Sequence, residues 1–122
     1  MYKKVLFLLV LLGCNKGPQP IAYGSDVCHY CQMSIVSRPY AAQFVTTKGK
    51  VYKYDAIECL VRHRPAEGTA YIHDFYTHQV LPAQEAVYLI HDSIRSPMGA
   101  NLAGFKEHAD GFSWEKLHEI LR

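Results

Sequence analysis

The chain has 122 residues, 13 of them Lys or Arg and 11 Asp or Glu, enough for one small domain with a modest core or two very small ones. Lys3 and Lys4 precede an apolar run, and without them 11 basic residues face 11 acidic ones. That balance gives no electrostatic footprint for nucleic acid and excludes it as a partner.

Residues 5–12 are unbroken apolar. The run is far short of the about 20 residues a membrane-spanning helix needs, and it has the length of a signal-peptide core. It ends in Leu11-Leu12-Gly13-Cys14, which resembles the bacterial lipoprotein signal. That resemblance implies cleavage after Gly13, loss of residues 1–13 and a lipid on Cys14; an ordinary secretory signal with an incidental Cys is the alternative. Two acyl chains hold a protein stably on a membrane where one does not. The expected location is extracytoplasmic, on the periplasmic side of the outer or inner membrane. Residues 14–25 hold Gly17, Pro18, Pro20, Gly24 and Ser25 and read as a tether, which leaves residues 26–122 as the domain.

The domain begins with Asp26-Val27-Cys28-His29-Tyr30-Cys31-Gln32-Met33. Two thiols, an imidazole and a thioether within six positions form a soft donor set, and sulfur from Cys together with Met selects Cu(I) over zinc, iron or the hard cations. The Cys28–Cys31 spacing also fits a redox pair. Zinc would need a second pair of ligands, which Cys59 and one of His63, His73 or His78 could supply. A c-type haem site is excluded because Gln32, not His, follows Cys31. His29 reads as a ligand, a proton acceptor or a bystander. Asp26 reads as a group shaping the loop around Cys28 or as an ordinary turn Asp. With Cys14 lipidated, three thiols are left, and an odd count argues against a simple disulfide framework.

Residues 40–47 and 50–54 are aromatic and β-branched runs around Lys48-Gly49 and predict a hairpin. Asp55-Ala56-Ile57-Glu58 reads as a capping box opening a helix with Asp55 as its cap. Ile57, Leu60 and Val61 lie on the buried face of that helix, with Cys59 beside it as a small apolar residue or a ligand. Pro65 and Gly68 end the helix, and residues 69–76 predict a third strand. After Pro82, residues 86–91 predict a strand, 95–99 a loop and 101–105 a short strand. Ser113 caps a last helix carrying Trp114, Leu117, Ile120 and Leu121. The two units divide at about 26–82 and 83–122. Met33 and Met98 are the methionines after the signal, and neither lies in an apolar periodic stretch where a core-filling Met usually sits.

The pattern Asp26-x-Cys28-His29-x-Cys31-x-Met33 resembles the signature of the NosL family, the copper-binding lipoproteins of nitrous oxide reductase maturation. Ala41-Ala42 with its hairpin, residues 54–59, His73-Asp74 and Ser96-Pro97-Met98-Gly99 follow the same order of features as far as about Phe105. The resemblance implies an α+β fold of two ββα-type units. It also implies Cu(I) bound by Cys28, Cys31, Met33 and Met98, and delivery, without enzymatic activity, to nitrous oxide reductase or another copper enzyme through an ABC-type membrane complex. The chain departs from the family at Gln32, where many relatives carry Gly, and after Phe105, where the second unit looks truncated. The competing class is an extracytoplasmic thiol oxidoreductase with Cys28 as its nucleophile.

Overall fold

The computed structural model describes residues 17–65 and 67–122; the predicted signal and Cys14 lie outside them. Six strands and two helices form an α+β fold: β1 (Ala42–Thr46), β2 (Val51–Tyr54), α1 (Ile57–His63), β3 (Gly68–His73), β4 (Val80–Pro82), β5 (Val87–Ile90), β6 (Leu102–Phe105) and α2 (Trp114–Leu121). The first four strands make an antiparallel sheet in the order β2-β1-β3-β4, and β5 pairs with β6 in a second sheet. Each sheet carries a helix after a hairpin, β1-β2-α1 and β5-β6-α2, and β3 and β4 widen the first.

The strand β1 is central, and its alternation of side chains is suppressed because both faces are covered: Ala42, Gln43, Phe44 and Val45 are all buried. The predicted β1–β2 hairpin forms. Gly49 takes φ 91° in the turn, and Thr46 Oγ1 accepts the Lys50 N–H at 2.9 Å. The helix α1 lays Ile57, Leu60 and Val61 on a core that also holds Tyr54, Ile72, Tyr88, Leu102, Trp114 and Leu117. It ends at Arg64, in the left-handed region at φ 52°, with Pro65 behind it. Ser113 caps α2 as predicted, its side chain accepting the Lys116 N–H. The short strand β4 carries no periodic pattern of its own, and the sequence reading missed it.

Two expectations change. Asp55 does not cap α1: the N-cap is Ala56, with no side-chain hydrogen bond. Asp55 faces the thiols instead, and Glu58, the other half of the predicted capping box, is wholly buried. Nor does the proposed tether hang free over its described part. Gln19 exchanges two hydrogen bonds with the buried Gln43 side chain, N–H to Oε1 at 2.8 Å and Nε2–H to its carbonyl at 2.9 Å. Ile21 and Tyr23 pack on the core, and Arg38 lies over the Tyr23 ring at 4.3 Å. Turn-forming composition predicted flexibility, but these apolar and amide side chains find partners that composition cannot show.

The two sheets are joined at a few polar points. Phe75 N–H donates to Gly104 O across 2.8 Å. Asp74 accepts from the Tyr76 and Thr77 N–H groups and the Thr77 hydroxyl on Oδ2, and from the Lys106 N–H on Oδ1. It thereby ties the β3–β4 connection to the end of β6. Gly104 permits close approach there, since a Cβ would lie 2.8 Å from Ile72 Cδ1 and 3.2 Å from Tyr88 Cε1.

Candidate metal centre

The thiol motif folds as a tight loop laid against the edge of β2. Val27 and Ser34 form an isolated antiparallel bridge. Within it Cys28 N–H donates to Met33 O at 2.8 Å, Gln32 N–H to Cys28 O at 3.0 Å, and Ile35 N–H to Asp26 O at 2.9 Å. Closing so short a loop puts Gln32 at φ 70°, a left-handed conformation that glycine adopts without strain. His29 fastens the loop to β2: its N–H donates to Lys53 O at 2.9 Å, and its Nδ1 accepts the Lys53 N–H at 3.2 Å. Asp26 takes the turn role, accepting from Ala22 N–H and pairing with Lys53 Nζ at 2.9 Å.

This loop delivers Cys28 and Cys31 to the start of α1, where Asp55 and Cys59 wait. One donor atom from each of Cys28, Cys31, Asp55 and Cys59 lies within 4.8 Å of all the others. Asp55 Oδ1 accepts from Cys31 Sγ at 3.4 Å and from Cys59 Sγ at 3.3 Å. The backbone N–H groups of Tyr30 and Cys31 both point at Cys28 Sγ from 3.4 Å. Cys28 and Cys59 are buried and Cys31 is half-buried. Of the sequence-predicted donors, Cys28 and Cys31 are therefore brought together. Met33 stands at the exit of the loop, 59% exposed, and Met98 at the tip of the 96–99 turn, 38% exposed.

The sequence left Cys59 open and did not connect Asp55 with the thiols. The signal was present in the proximity: Asp55 stands one residue before the Ala56 N-cap, and its carboxyl reaches over the first turn of α1 to Cys59. What hid it was that Asp55 also satisfies the pattern of a helix cap.

The three thiols ionise as a group. Cys28 is pulled down to about 5, first by the Cys59 thiol hydrogen bond, against burial and with help from the N–H groups of Cys31, Asp55 and Tyr30. Cys59 has one proton and two acceptors, Cys28 Sγ and Asp55 Oδ1, and its own ionisation is pushed well above the ordinary thiol range, chiefly by donating to Cys28. Burial, and then donation to Cys28 and Asp55, raises Cys31 to about 11. Near neutral pH the group thus holds one thiolate, on Cys28, and two thiols. Each thiol of this group that binds a metal ion releases its proton.

An aromatic wall stands beside the cluster. His63 Nδ1 bonds the Tyr54 hydroxyl at 2.6 Å, with Tyr52 and Tyr30 rings 5.6 and 6.3 Å from the His63 ring. The His29 ring meets Tyr52 edge-on at 4.9 Å. Burial raises the Tyr54 phenol, and the charge on Cys28 adds to it.

A compact α+β scaffold presenting three cysteine sulfurs and a carboxyl oxygen at one point defines a soft-metal-binding class of protein. The sequence profile of the NosL family matches residues 21–119, and the chain belongs to that family. It is 26% identical to the copper-binding lipoprotein NosL of Stutzerimonas stutzeri over 97% of this chain and 74% of the relative. Its fold matches the crystal structure of the copper chaperone NosL from Shewanella denitrificans with a TM-score of 0.64 at 20% identity, covering 88% of this chain and 86% of the other. These relatives are named a copper-binding lipoprotein and a copper chaperone, not enzymes.

Proposed function

We propose that the protein is a lipid-anchored, extracytoplasmic Cu(I) carrier that passes its ion to a copper enzyme. The observation that carries this reading is the convergence of Cys28, Cys31, Cys59 and Asp55, whose donor atoms all lie within 4.8 Å of one another. Cu(I) has a filled d shell, accepts two to four soft ligands and imposes little geometry. In this reading Cys28 is the anionic anchor, Cys31 and Cys59 are thiols that deprotonate onto the ion, and Met33 with Met98 supplies neutral thioethers that let the ion go again. Asp55 accepts the hydrogen bonds of the Cys31 and Cys59 thiols and orients their sulfurs.

The names of the relatives support copper as the cargo and a lipid on Cys14 as the anchor. Nitrous oxide reductase as recipient, with an ABC-type membrane complex between them, follows from the family resemblance and is part of the same proposal. Among the described residues no helix is long and apolar enough to cross a membrane.

A thiol oxidoreductase also wants a depressed thiol, but the burial is inverted for that chemistry. The low-pKa sulfur, Cys28, is 0% exposed, while the accessible Cys31 is the one held protonated. Attack on a disulfide needs thiolate and access on the same atom. Zinc is the reading that Asp55 favours, since three thiolates and a carboxylate make a tetrahedral set.

Titration of the reduced protein against a chromophoric Cu(I) chelator tests the proposal. One Cu(I) per chain is expected, lost in Cys28→Ser. Metal analysis after loading with Cu(I) and Zn(II) together separates the zinc reading: zinc retained in place of copper refutes the carrier.

A further inference from the structure

Among the described residues Glu58 is the most deeply buried carboxyl, at 0% exposure, and it lies one peptide bond from Cys59 on α1. Its Oε2 accepts the Ser96 hydroxyl at 2.8 Å and the Ala100 N–H at 3.2 Å. Ser96 Oγ, having donated its proton to Glu58, accepts the Leu102 N–H at 3.2 Å. The Ser96 carbonyl accepts the Gly99 N–H at 3.0 Å, and Gly99 at φ 81° lets the chain reverse there.

One carboxylate oxygen therefore holds both feet of the turn that presents Met98. Ser96 stands two residues before it and Ala100 two residues after. Between these feet Pro97, Met98 and Gly99 are exposed. The base of the turn is thereby fixed to the helix turn that carries Cys59. The other oxygen, Oε1, is buried without a hydrogen-bond partner. A joint serving stability alone would pair both oxygens or be apolar, because an unpaired buried acceptor costs its full desolvation.

The geometry points to Glu58 as a positioning residue for the metal, a strut that sets where the Met98 thioether stands relative to the Cys28–Cys31–Cys59 cluster. This rests on the reading of Met98 as a ligand. In a site assembled from two sheets, a loop tied by such a strut carries its donor in a fixed place before the ion arrives, and a looser loop would pay an ordering cost at capture.

The test is Cu(I) affinity by chelator competition, with the number of sulfur neighbours read by X-ray absorption on the loaded protein. Glu58→Leu, which removes both bonds, and Ser96→Ala, which removes one, are expected to weaken affinity roughly tenfold, the scale on which groups supporting a ligand act. Each is expected to lose one sulfur neighbour. Glu58→Gln, which keeps an acceptor oxygen, is expected to recover most of the affinity. In a Met98→Ser background Ser96→Ala is expected to add nothing. If Glu58→Leu does not fold, Ser96→Ala alone carries the test. Met98→Ser weakening the site while Ser96→Ala leaves it intact overturns the strut, as does an undiminished Ser96→Ala effect once Met98 is gone. An unaltered affinity in Met98→Ser also overturns it, with the copper reading still standing if Cys28→Ser abolishes binding. Failure of the wild-type protein to take up Cu(I) overturns both.

Discussion

Replacing Cys59 by Ala separates the two roles its sulfur plays. The Cys59 thiol is the largest influence holding Cys28 at about 5. A hydrogen bond to a charged group is worth about 1.5–3 kcal/mol, and one pKa unit corresponds to about 1.4 kcal/mol. Removing the donor should therefore raise Cys28 by roughly one to two units, to about 6–7. The backbone N–H groups of Tyr30 and Cys31, each 3.4 Å from Cys28 Sγ, survive the substitution, so the thiol should stay below the ordinary value of about 8.5. The assay is the thiolate absorbance of the reduced apoprotein against pH, with Cys31→Ser in both backgrounds to isolate Cys28. Cys59→Ser restores an O–H donor and should recover part of the depression, which separates the lost hydrogen bond from the small cavity. Cu(I) affinity of Cys59→Ala should fall by roughly tenfold or more, since a ligand matters at least as much as the groups supporting one. A first ionisation unchanged in Cys59→Ala would refute the hydrogen-bond argument, and an unchanged copper affinity would remove Cys59 from the ligand set.

The thiols also set a stability profile. Cys28, depressed to about 5, contributes stability that is complete above its unfolded value and is lost as pH falls toward 5. Cys31, raised to about 11, contributes stability that is complete below its unfolded value and is lost as pH rises toward 11. Urea unfolding of the reduced apoprotein should thus show the thiol contribution peaking near about pH 8.5, and a Cys28→Ser variant should lose the acid side of that peak. Asp74→Asn offers one oxygen where two accepted four donors. It should cost about 3 kcal/mol in chemical denaturation, and a loss under 1 kcal/mol would contradict the clasp. Gln32→Gly should relieve a left-handed residue at φ 70° at the expense of one side-chain bond to His29 O at 3.3 Å. A net gain of about 0.5–1 kcal/mol is expected in the same measurement, and destabilisation would mean that the side-chain bond dominates.

The legible parts of this chain were those governed by local pattern. The hairpin around Lys48-Gly49, the buried face of α1 and the Ser113 cap each announce themselves over a few residues and appear where expected. Cys28 and Cys31 were legible for the same reason, their spacing being local. Asp55 and Glu58 were misread as a capping box, and Cys59 was left open, because their meaning is tertiary. A carboxyl at a helix start looks like a cap until a distant loop brings thiols to it, or a distant turn brings Ser96. The packing of residues 19–25 was hidden likewise, since Gln19 needs Gln43, which lies 24 residues away. Left-handed Gln32 was hidden too, since glutamine carries no turn signal and its φ of 70° is imposed by closure of the Cys28–Met33 loop.

The carboxyl of Asp74 has a reach well beyond its neighbourhood. It is one of the few polar pins between the sheet that supports the thiols and the hairpin whose connecting loop carries Met98. A gripping device divided between two plates takes its gap from the hinge rather than from its jaws. In the proposed carrier, substitutions near this joint would retune how firmly an ion is held while leaving every sulfur in place, and a lineage could adjust retention against release without touching a single donor atom.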